Sequence, residues 1–344
     1  MTKNKLSSQI IKNDAYGLGI SKVGIAKADF YPYDKHKLDT WLNNRYHASM
    51  HWIKKRSTER SNIFNYYPNA KSVISVALNY FTGNASKNPN IAKFSNYAWG
   101  DDYHQVLKHL LYKLSEKIKV KNPGINTIVC VDTSPIMEKQ WGQRAGIGWI
   151  GKHTNLITKE FGSWFFLGEI ILDNEVDSYD SFFSEDLCGT CTECIDQCPT
   201  DAIVESYLLD SSKCISYMTI EHREDFNIES NINLYDWIYG CDICQEVCPW
   251  SKKYWSQQKI DIQEWTGEIL ALDDYVARVY KHPLASAKQL ESMMNTFNEQ
   301  RPDEEWLYSS PEYGGHSTPI GVLIQQDYNL LNRIRKSLKS NKYT

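Results

Sequence analysis

The sequence contains two cysteine runs, CGTCTECIDQCP at residues 188–199 and CDICQEVCP at residues 241–249. The first run has the spacing Cys-x2-Cys-x2-Cys-x3-Cys-Pro, which is typical of bacterial ferredoxins with two [4Fe–4S] clusters. The second run ends in the same Cys-x3-Cys-Pro element, and Cys214 precedes it as a separate candidate ligand. Eight of the nine cysteines therefore lie in one segment, and this clustering indicates a metal centre.

In two-cluster ferredoxins the fourth cysteine of a run binds the other cluster. We therefore predict two [4Fe–4S] clusters whose ligands are Cys188, Cys191, Cys194 and Cys248 for the first, and Cys198, Cys214, Cys241 and Cys244 for the second. The alternative is a pair of four-cysteine zinc sites, which are also built from Cys-x2-Cys units. Zinc ribbons have no need for a Cys-x3-Cys-Pro element, which occurs twice here, so iron–sulfur is favoured.

The composition is that of an ordinary globular protein. The chain has 344 residues, 42% hydrophobic and 23% charged residues, and a net charge of −4, which argues against a broadly basic nucleic-acid-binding surface. The first residues lack the apolar stretch of a secretory signal, and abundant unpaired cysteine suits a reducing compartment. We therefore expect a cytoplasmic protein without membrane segments, in which Cys130 is a buried small side chain.

Helical and strand patterns alternate between residues 20 and 180. Continuous apolar runs predict strands at 71–79 and 163–172, while helical spacing of apolar residues predicts helices at 38–53 and 103–118. The fold class expected is α+β, with α/β-like alternation.

The segment 131–156, VDTSPIMEKQWGQRAGIGWIGKHTNL, concentrates glycine around one tryptophan. Gly146, Gly148 and Gly151 allow close approach of backbone to a bulky flat ligand. The pattern is not a phosphate-binding loop, and no suitable acidic residue follows to complete a dinucleotide-binding fingerprint.

This segment, extended to Ile157, resembles the epoxyqueuosine reductase family. The resemblance continues through LCGTCTECIDQCPTDAI, KCISYMTIEHR and YGCDICQEVCPW, and upstream through LGISKVGIAKA, NYYPNAKSVISVALNY and YAWGDDYH. It covers about residues 10–255. It implies a cobalamin-binding domain similar to nitroreductases (1–180), a ferredoxin-like domain (181–252) and a C-terminal extension (253–344), an arrangement also seen in reductive dehalogenases.

The activity implied is reduction of the epoxide of epoxyqueuosine to queuosine at the wobble position of tRNA. Asp132 matches the family's catalytic carboxylate, and donation of a proton by it at neutral pH requires a raised pKa. The residues that we expect to contact cobalamin are Arg60, Tyr97, Asp132, Lys152, His153, Asn155, Ser216, Tyr217, Cys241 and Asp242. Candidates to face the substrate are Asp102, Tyr103 and His104.

The expected partners are the anticodon stem-loop of a tRNA and an external electron donor, and the chain is expected to be monomeric. After about Ser251 the resemblance is weak, which leaves other functions open. One alternative is a cobalamin- or flavin-dependent reductase of a small electrophile, similar to reductive dehalogenases. Another is a non-catalytic subunit that passes electrons to a partner.

Overall fold

The computed structural model describes residues 5–81, 93–98, 102–222, 234–235 and 237–257. The chain divides into two compact units. The described part of the first unit is 5–80, 103–212 and 243–257, and that of the second is Phe81, 93–98, Asp102, 213–222, 234–235 and 237–242. The predicted domain boundaries at 180 and 252 rest on sequence motifs and stay predictions, and most of the predicted C-terminal extension lies outside the described residues.

The described residues form ten strands and eleven α-helices. The strands are β1 Lys22–Lys27, β2 Ser72–Asn79, β3 Lys93–Phe94, β4 Thr127–Cys130, β5 Trp149–Ile150, β6 Leu156–Ile157, β7 Phe165–Leu172, β8 Ile203–Glu205, β9 Leu208–Leu209 and β10 Trp237–Tyr239. The helices are α1 Ser8–Tyr16, α2 Pro32–Asn43, α3 His51–Lys55, α4 Ser57–Ser61, α5 Ile63–Tyr66, α6 Tyr103–Lys121, α7 Glu138–Arg144, α8 Glu193–Asp196, α9 Ile215–Ile220, α10 Ile243–Glu246 and α11 Pro249–Gln257. Two short 3₁₀ turns lie at Asn96–Ala98 and Ser211–Lys213.

The first unit is built on a four-stranded antiparallel sheet in the order β1-β2-β7-β4. The two central strands, β2 and β7, are buried along almost their whole length. Both faces of the sheet are covered by helices, so these strands carry continuous apolar residues rather than an alternating pattern. This burial explains why the sequence marks them clearly.

Helices α1 and α6 pack on one face of the sheet and α7 packs on the other. Gly168 of β7 marks the α6 face, because a Cβ atom there would approach the side chains of Leu107 and Leu111. Gly24 of β1 marks the α7 face, where an added Cβ would lie 1.8 Å from the carbonyl oxygen of Ala145. Glycine is therefore required at position 24 for α7 to reach the sheet.

The strands predicted at 71–79 and 163–172 are observed with slightly shorter bounds. The helix predicted at 103–118 is observed and is longer, because it continues to Lys121. The helix predicted at 38–53 is wrong. Its region forms α2 and α3 with a turn between them, in which Arg45 and Ala48 have left-handed φ angles of 59° and 49°. Such angles cannot continue a right-handed helix.

In the second unit β10 pairs in parallel with β3, and α9 packs against β10. Within the described residues, no helix combines the length and apolar character needed to cross a lipid bilayer.

Candidate iron–sulfur and acid sites

Four thiols of the first unit surround one cavity of about 370 Å³, which we call the thiol cavity. They are the four cysteines predicted to hold the first cluster: Cys188, Cys191, Cys194 and Cys248. Helices α8 and α10 pack against each other, which brings the first cysteine run next to the end of the second. The other lining residues are Lys152, His153, Ile157, Leu187, Pro249, Trp250 and Lys253.

The thiols of this cavity influence one another's protonation. Burial, followed by repulsion from the other three cysteines, raises the pKa of the Cys194 thiol to about 11. Four thiolates this close together would repel one another. A bound metal centre removes this repulsion, because its positive charge stabilises the deprotonated form of each thiol. The chemistry of the cavity therefore suits a metal cluster rather than four free thiols.

Hydrogen-bond donors reach the cavity from the β5–β6 hairpin. Burial raises the pKa of the Cys188 thiol, while the backbone N–H of Lys152 acts to lower that pKa. The Lys152 ammonium donates to the carbonyl oxygens of Gly189 and Cys191 over 2.7 and 2.9 Å. The hairpin is thus tied to the first cysteine loop.

The cysteines predicted for the second cluster are divided between the two units. Cys198 and Cys244 lie in the first unit, and Cys214 and Cys241 lie in the second. In the first unit the Cys198 sulfur accepts a hydrogen bond from the backbone N–H of Ala202 over 3.3 Å. The assignment of these four residues to one cluster stays a prediction.

Asp132 lies just beyond the C-terminal end of β4, in a left-handed conformation with φ of 50°. Its side chain is 54% exposed, and Oδ2 lies 3.1 Å from Nε2 of His104. Desolvation is the largest single influence on Asp132 and acts to raise its pKa, but the neighbouring groups together outweigh it. Hydrogen bonds from His104 and Tyr103, with the charge of Arg60, bring the pKa below its usual value. The raised pKa that proton donation by Asp132 requires is therefore not supplied by these protein groups, and the role of Asp132 as the acid stays a prediction.

The group beside Asp132 that retains a proton is Glu138, at the first residue of α7. Its Oε1 accepts a hydrogen bond from the backbone N–H of Asp132 over 2.5 Å. Burial, and then repulsion by the Asp132 carboxylate, raises the pKa of Glu138 to about 8. At neutral pH the pair therefore consists of an ionised Asp132 and a protonated Glu138.

A second buried acid lies behind this pair on the α7 face of the sheet. In the strand register Glu169 of β7 stands between Ser75 of β2 and Cys130 of β4. Glu169 is fully buried, and burial together with repulsion from Glu138 raises its pKa well above the usual range. Cys130 is also fully buried, as predicted, and burial raises its pKa to about 12.

The remaining predicted residues of the second unit form their own arrangement. Asp242 is fully buried, and its carboxylate accepts hydrogen bonds from the Ser95 hydroxyl and from the backbone and side-chain N–H groups of Asn96, the last two over 2.6 and 2.7 Å. The Tyr97 and Tyr239 rings lie 5.9 Å apart. Asp242 thus joins two chain segments of this unit, and its contact with a cofactor stays a prediction.

The structure therefore sorts the predicted site residues into groups. Arg60, Tyr103 and His104 meet Asp132, whereas Lys152 and His153 line the thiol cavity, and the Asn155 amide oxygen accepts from Lys139 over 2.9 Å. Tyr97, Asp102, Ser216, Tyr217, Cys241 and Asp242 belong to the second unit. Sequence reasoning missed Glu138, whose only signal was an acidic residue in the first turn of a short helix.

Two family models match parts of this chain. A family model described as a 4Fe-4S double cluster binding domain matches residues 187–251, and a model described as Epoxyqueuosine reductase QueG matches residues 60–133. A solved structure of epoxyqueuosine reductase from Streptococcus thermophilus superposes with a TM-score of 0.63 at 22% identity, covering 96% of this chain and 98% of that one. A structure of epoxyqueuosine reductase with an epoxyqueuosine-modified tRNA stem-loop gives a TM-score of 0.64 at 22% identity, with the same coverage. These structural matches confirm the mixed helix-and-strand fold.

Curated relatives are closer in sequence. The epoxyqueuosine reductase of Cyclobacterium marinum is 42% identical over 246 residues, which are 71% of this chain and 79% of that protein. The enzyme of the same name from Atelocyanobacterium thalassa is 44% identical over 269 residues, covering 75% and 85% of the two chains. Identity at this level over most of the relatives' length establishes that the chain belongs to the epoxyqueuosine reductase family.

Proposed function

We propose that this chain reduces the epoxide of epoxyqueuosine to queuosine at the wobble position of tRNA. Two [4Fe–4S] clusters would carry electrons to cobalamin. The observation that carries the proposal is the convergence of Cys188, Cys191, Cys194 and Cys248 on one cavity, in a member of this family. We expect the enzyme to act in the cytoplasm, because cysteine thiols that bind clusters stay reduced there.

The thiol cavity fits an iron–sulfur cluster in three respects. It offers four thiols around a space rather than around a point, it is bordered by apolar residues such as Ile157 and Leu187, and the backbone N–H of Lys152 acts on the Cys188 thiol. Solvent exclusion and hydrogen bonds to the sulfurs are the properties by which proteins adjust cluster potentials. Cys188, Cys191, Cys194 and Cys248 would hold the cluster, which would supply one-electron transfer.

The surroundings of Asp132 fit a large cofactor that lies over an open surface. Asp132 is exposed, and the ring of Tyr103 stacks on Phe166 with 4.2 Å between centroids and 3° between planes. His104 is engaged with Asp132, and Arg60 and Asp132 are the residues here that would hold cobalamin. When bound, cobalamin would supply a low-valent cobalt centre that reacts with the epoxide.

The protein's own contribution at this site is the supply of protons. Conversion of an epoxide to an alkene with release of water consumes two electrons and two protons. Asp132, ionised and exposed, can transfer a proton to the departing oxygen only after receiving one. Glu138 holds a proton at neutral pH beside it, and thus completes a donor pair that Asp132 alone does not provide.

The test is anaerobic reconstitution with iron, sulfide and cobalamin, followed by mass analysis of nucleosides from tRNA that carries epoxyqueuosine. We expect queuosine to appear, with about eight iron atoms for each chain. Zinc in place of iron would contradict the cluster assignment. Turnover of small electrophiles without RNA would favour the small-molecule reductase, and absence of bound cobalamin together with transfer of electrons to a partner would favour the electron-transfer subunit.

A further inference from the structure

The hairpin loop between β5 and β6 places His153 at the thiol cavity. The backbone N–H of Gly151 donates to the carbonyl oxygen of Asn155 over 2.8 Å, and that of Thr154 donates to the carbonyl oxygen of Gly151 over 2.8 Å. These bonds, with the Lys152 ammonium on the first cysteine loop, determine where the His153 ring lies. The side chain is 3% exposed and lines the cavity together with the four thiols.

The hydrogen bonds of this ring identify its tautomer. The Nδ1 atom of His153 accepts from the backbone N–H of Asn155 over 3.1 Å. A backbone N–H can only donate, so Nδ1 carries a lone pair and the ring proton of the neutral imidazole is on Nε2. The ring is therefore neutral and has one N–H group.

That N–H group is buried without an acceptor among the described residues, because Nε2 of His153 has no hydrogen-bond partner there. A buried unpaired donor costs free energy, and native proteins usually satisfy such groups. The cavity beside it is where sulfur atoms of a bound cluster would lie. Sulfur atoms that carry negative charge are acceptors for such a donor.

We propose that His153 donates a hydrogen bond from Nε2 to a sulfur atom of the cluster held by Cys188, Cys191, Cys194 and Cys248, and thereby raises the reduction potential of that cluster. The inference rests on the proposed function, because it requires an iron–sulfur cluster in the cavity. The reduction potential would rise because reduction adds negative charge to the cluster. A donor at sulfur stabilises the reduced state more than the oxidised state.

The test compares two substitutions at one position. His153→Leu removes the donor, whereas His153→Gln retains an N–H group close to the position of Nε2. We expect the first variant to lower the equilibrium constant for reduction of this cluster about tenfold, which is about 59 mV for one electron. The second variant should restore most of the loss. The measurement is an anaerobic redox titration of the reconstituted holoprotein followed by electron paramagnetic resonance, with the other cluster as internal reference.

Equal potentials in wild type and His153→Leu would overturn the proposal, and so would equal shifts in both variants, since the effect would then be one of packing. If His153→Leu fails to retain iron, the wild-type protein labelled with ¹⁵N-histidine decides the matter. Pulsed electron paramagnetic resonance should detect a weak ¹⁵N coupling to the reduced cluster that is absent in His153→Gln. No coupling in a preparation with about eight iron atoms would refute the role of His153 and leave the proposed function intact. Loss of iron from the wild type would instead refute the proposed function.

Discussion

The thiol cavity and the surroundings of Asp132 belong to the same compact unit and differ in their chemistry. The thiol cavity is lined by sulfur, apolar side chains and neutral or cationic donors, with no carboxylate among its lining residues. The Asp132 site contains three neighbouring acids, of which Glu138 and Glu169 have raised pKa values. One region is suited to holding electrons and the other to holding protons. The contrast teaches that a reductase of this kind can hold its electrons in one region and its protons in another.

The largest expected effect comes from removing one thiol of the cavity. Cys194→Ala should reduce the iron content from about eight to about four atoms for each chain and abolish turnover, because one cluster loses a ligand. Cys130→Ala is the matched control, since Cys130 is a buried cysteine of the sheet. Iron analysis and the visible absorption spectrum provide the measurement. Equal iron loss in both variants would show that the contrast between the two regions is false.

Asp132→Asn should lower the rate of epoxide reduction by about 10²–10⁴-fold, the range associated with acid–base catalysis, with no change in iron content. Asparagine tolerates the left-handed backbone of this position, so the loop should keep its shape. The rate is measured by mass analysis of tRNA nucleosides, with Asp39→Asn on exposed α2 as control. Full activity in Asp132→Asn would remove this carboxyl group from the mechanism.

Glu138→Gln should change the dependence on pH. The wild-type rate should fall as pH rises through about 8, where Glu138 loses its proton, and the variant should be slower and less dependent on pH in this range. Turnover is measured between pH 6 and 9, a range set about the pKa of about 8. The control is Glu160→Gln, whose side chain is 56% exposed. An unchanged profile in Glu138→Gln would argue against a proton store.

The same substitution should also affect stability. Between the usual pKa of 4.5 and the folded value of about 8, the native protein retains a proton that the unfolded chain has lost. The contribution of Glu138 to the free energy of unfolding therefore falls as pH rises through this window. The thermal midpoint of Glu138→Gln should improve relative to wild type as pH rises from 5 to 8, a window taken from these pKa values. A constant difference would contradict the raised pKa.

The smallest effects on iron content and turnover come from comparing a glycine next to the thiol-cavity hairpin with a glycine of the sheet. A Cβ atom at Gly148 would lie 1.8 Å from the carbonyl oxygen of Ile157, and one at Gly24 equally close to that of Ala145. Each alanine substitution should destabilise the chain by about 3 kcal/mol or more, because the clash is with backbone and no side-chain rotation relieves it. Gly148→Ala should also weaken iron retention, because it distorts the hairpin of the thiol cavity. Gly24→Ala should lower the thermal midpoint without iron loss, and the reverse pattern would break the comparison.

The sequence predicted those features that depend on local patterns. The apolar runs of β2 and β7 and the spacing of the first cysteine run are local signals, and the structure contains the two strands and brings the four predicted cysteines together. The helix at 38–53 was wrong because the left-handed angles of Arg45 and Ala48 have no strong signal in a sequence without glycine there.

The acid site depended on contacts between distant residues. Glu169 is a charged residue within an apolar strand, and its neighbours Ser75 and Cys130 follow only from the strand register. The pKa of Asp132 depends on His104 and Arg60, which are far from it in sequence. Such contacts become visible only when the chain is folded.

The Lys152 ammonium donates hydrogen bonds to the carbonyl groups of Gly189 and Cys191. These bonds bear on how the protein would regain a cluster lost through oxidation. Because a cation of the chain itself braces the first cysteine loop, the shape of this loop does not depend on metal alone. After oxidative damage, the assembly machinery would meet a loop already shaped to receive new iron. Repair would then require delivery of the inorganic parts rather than refolding of the protein.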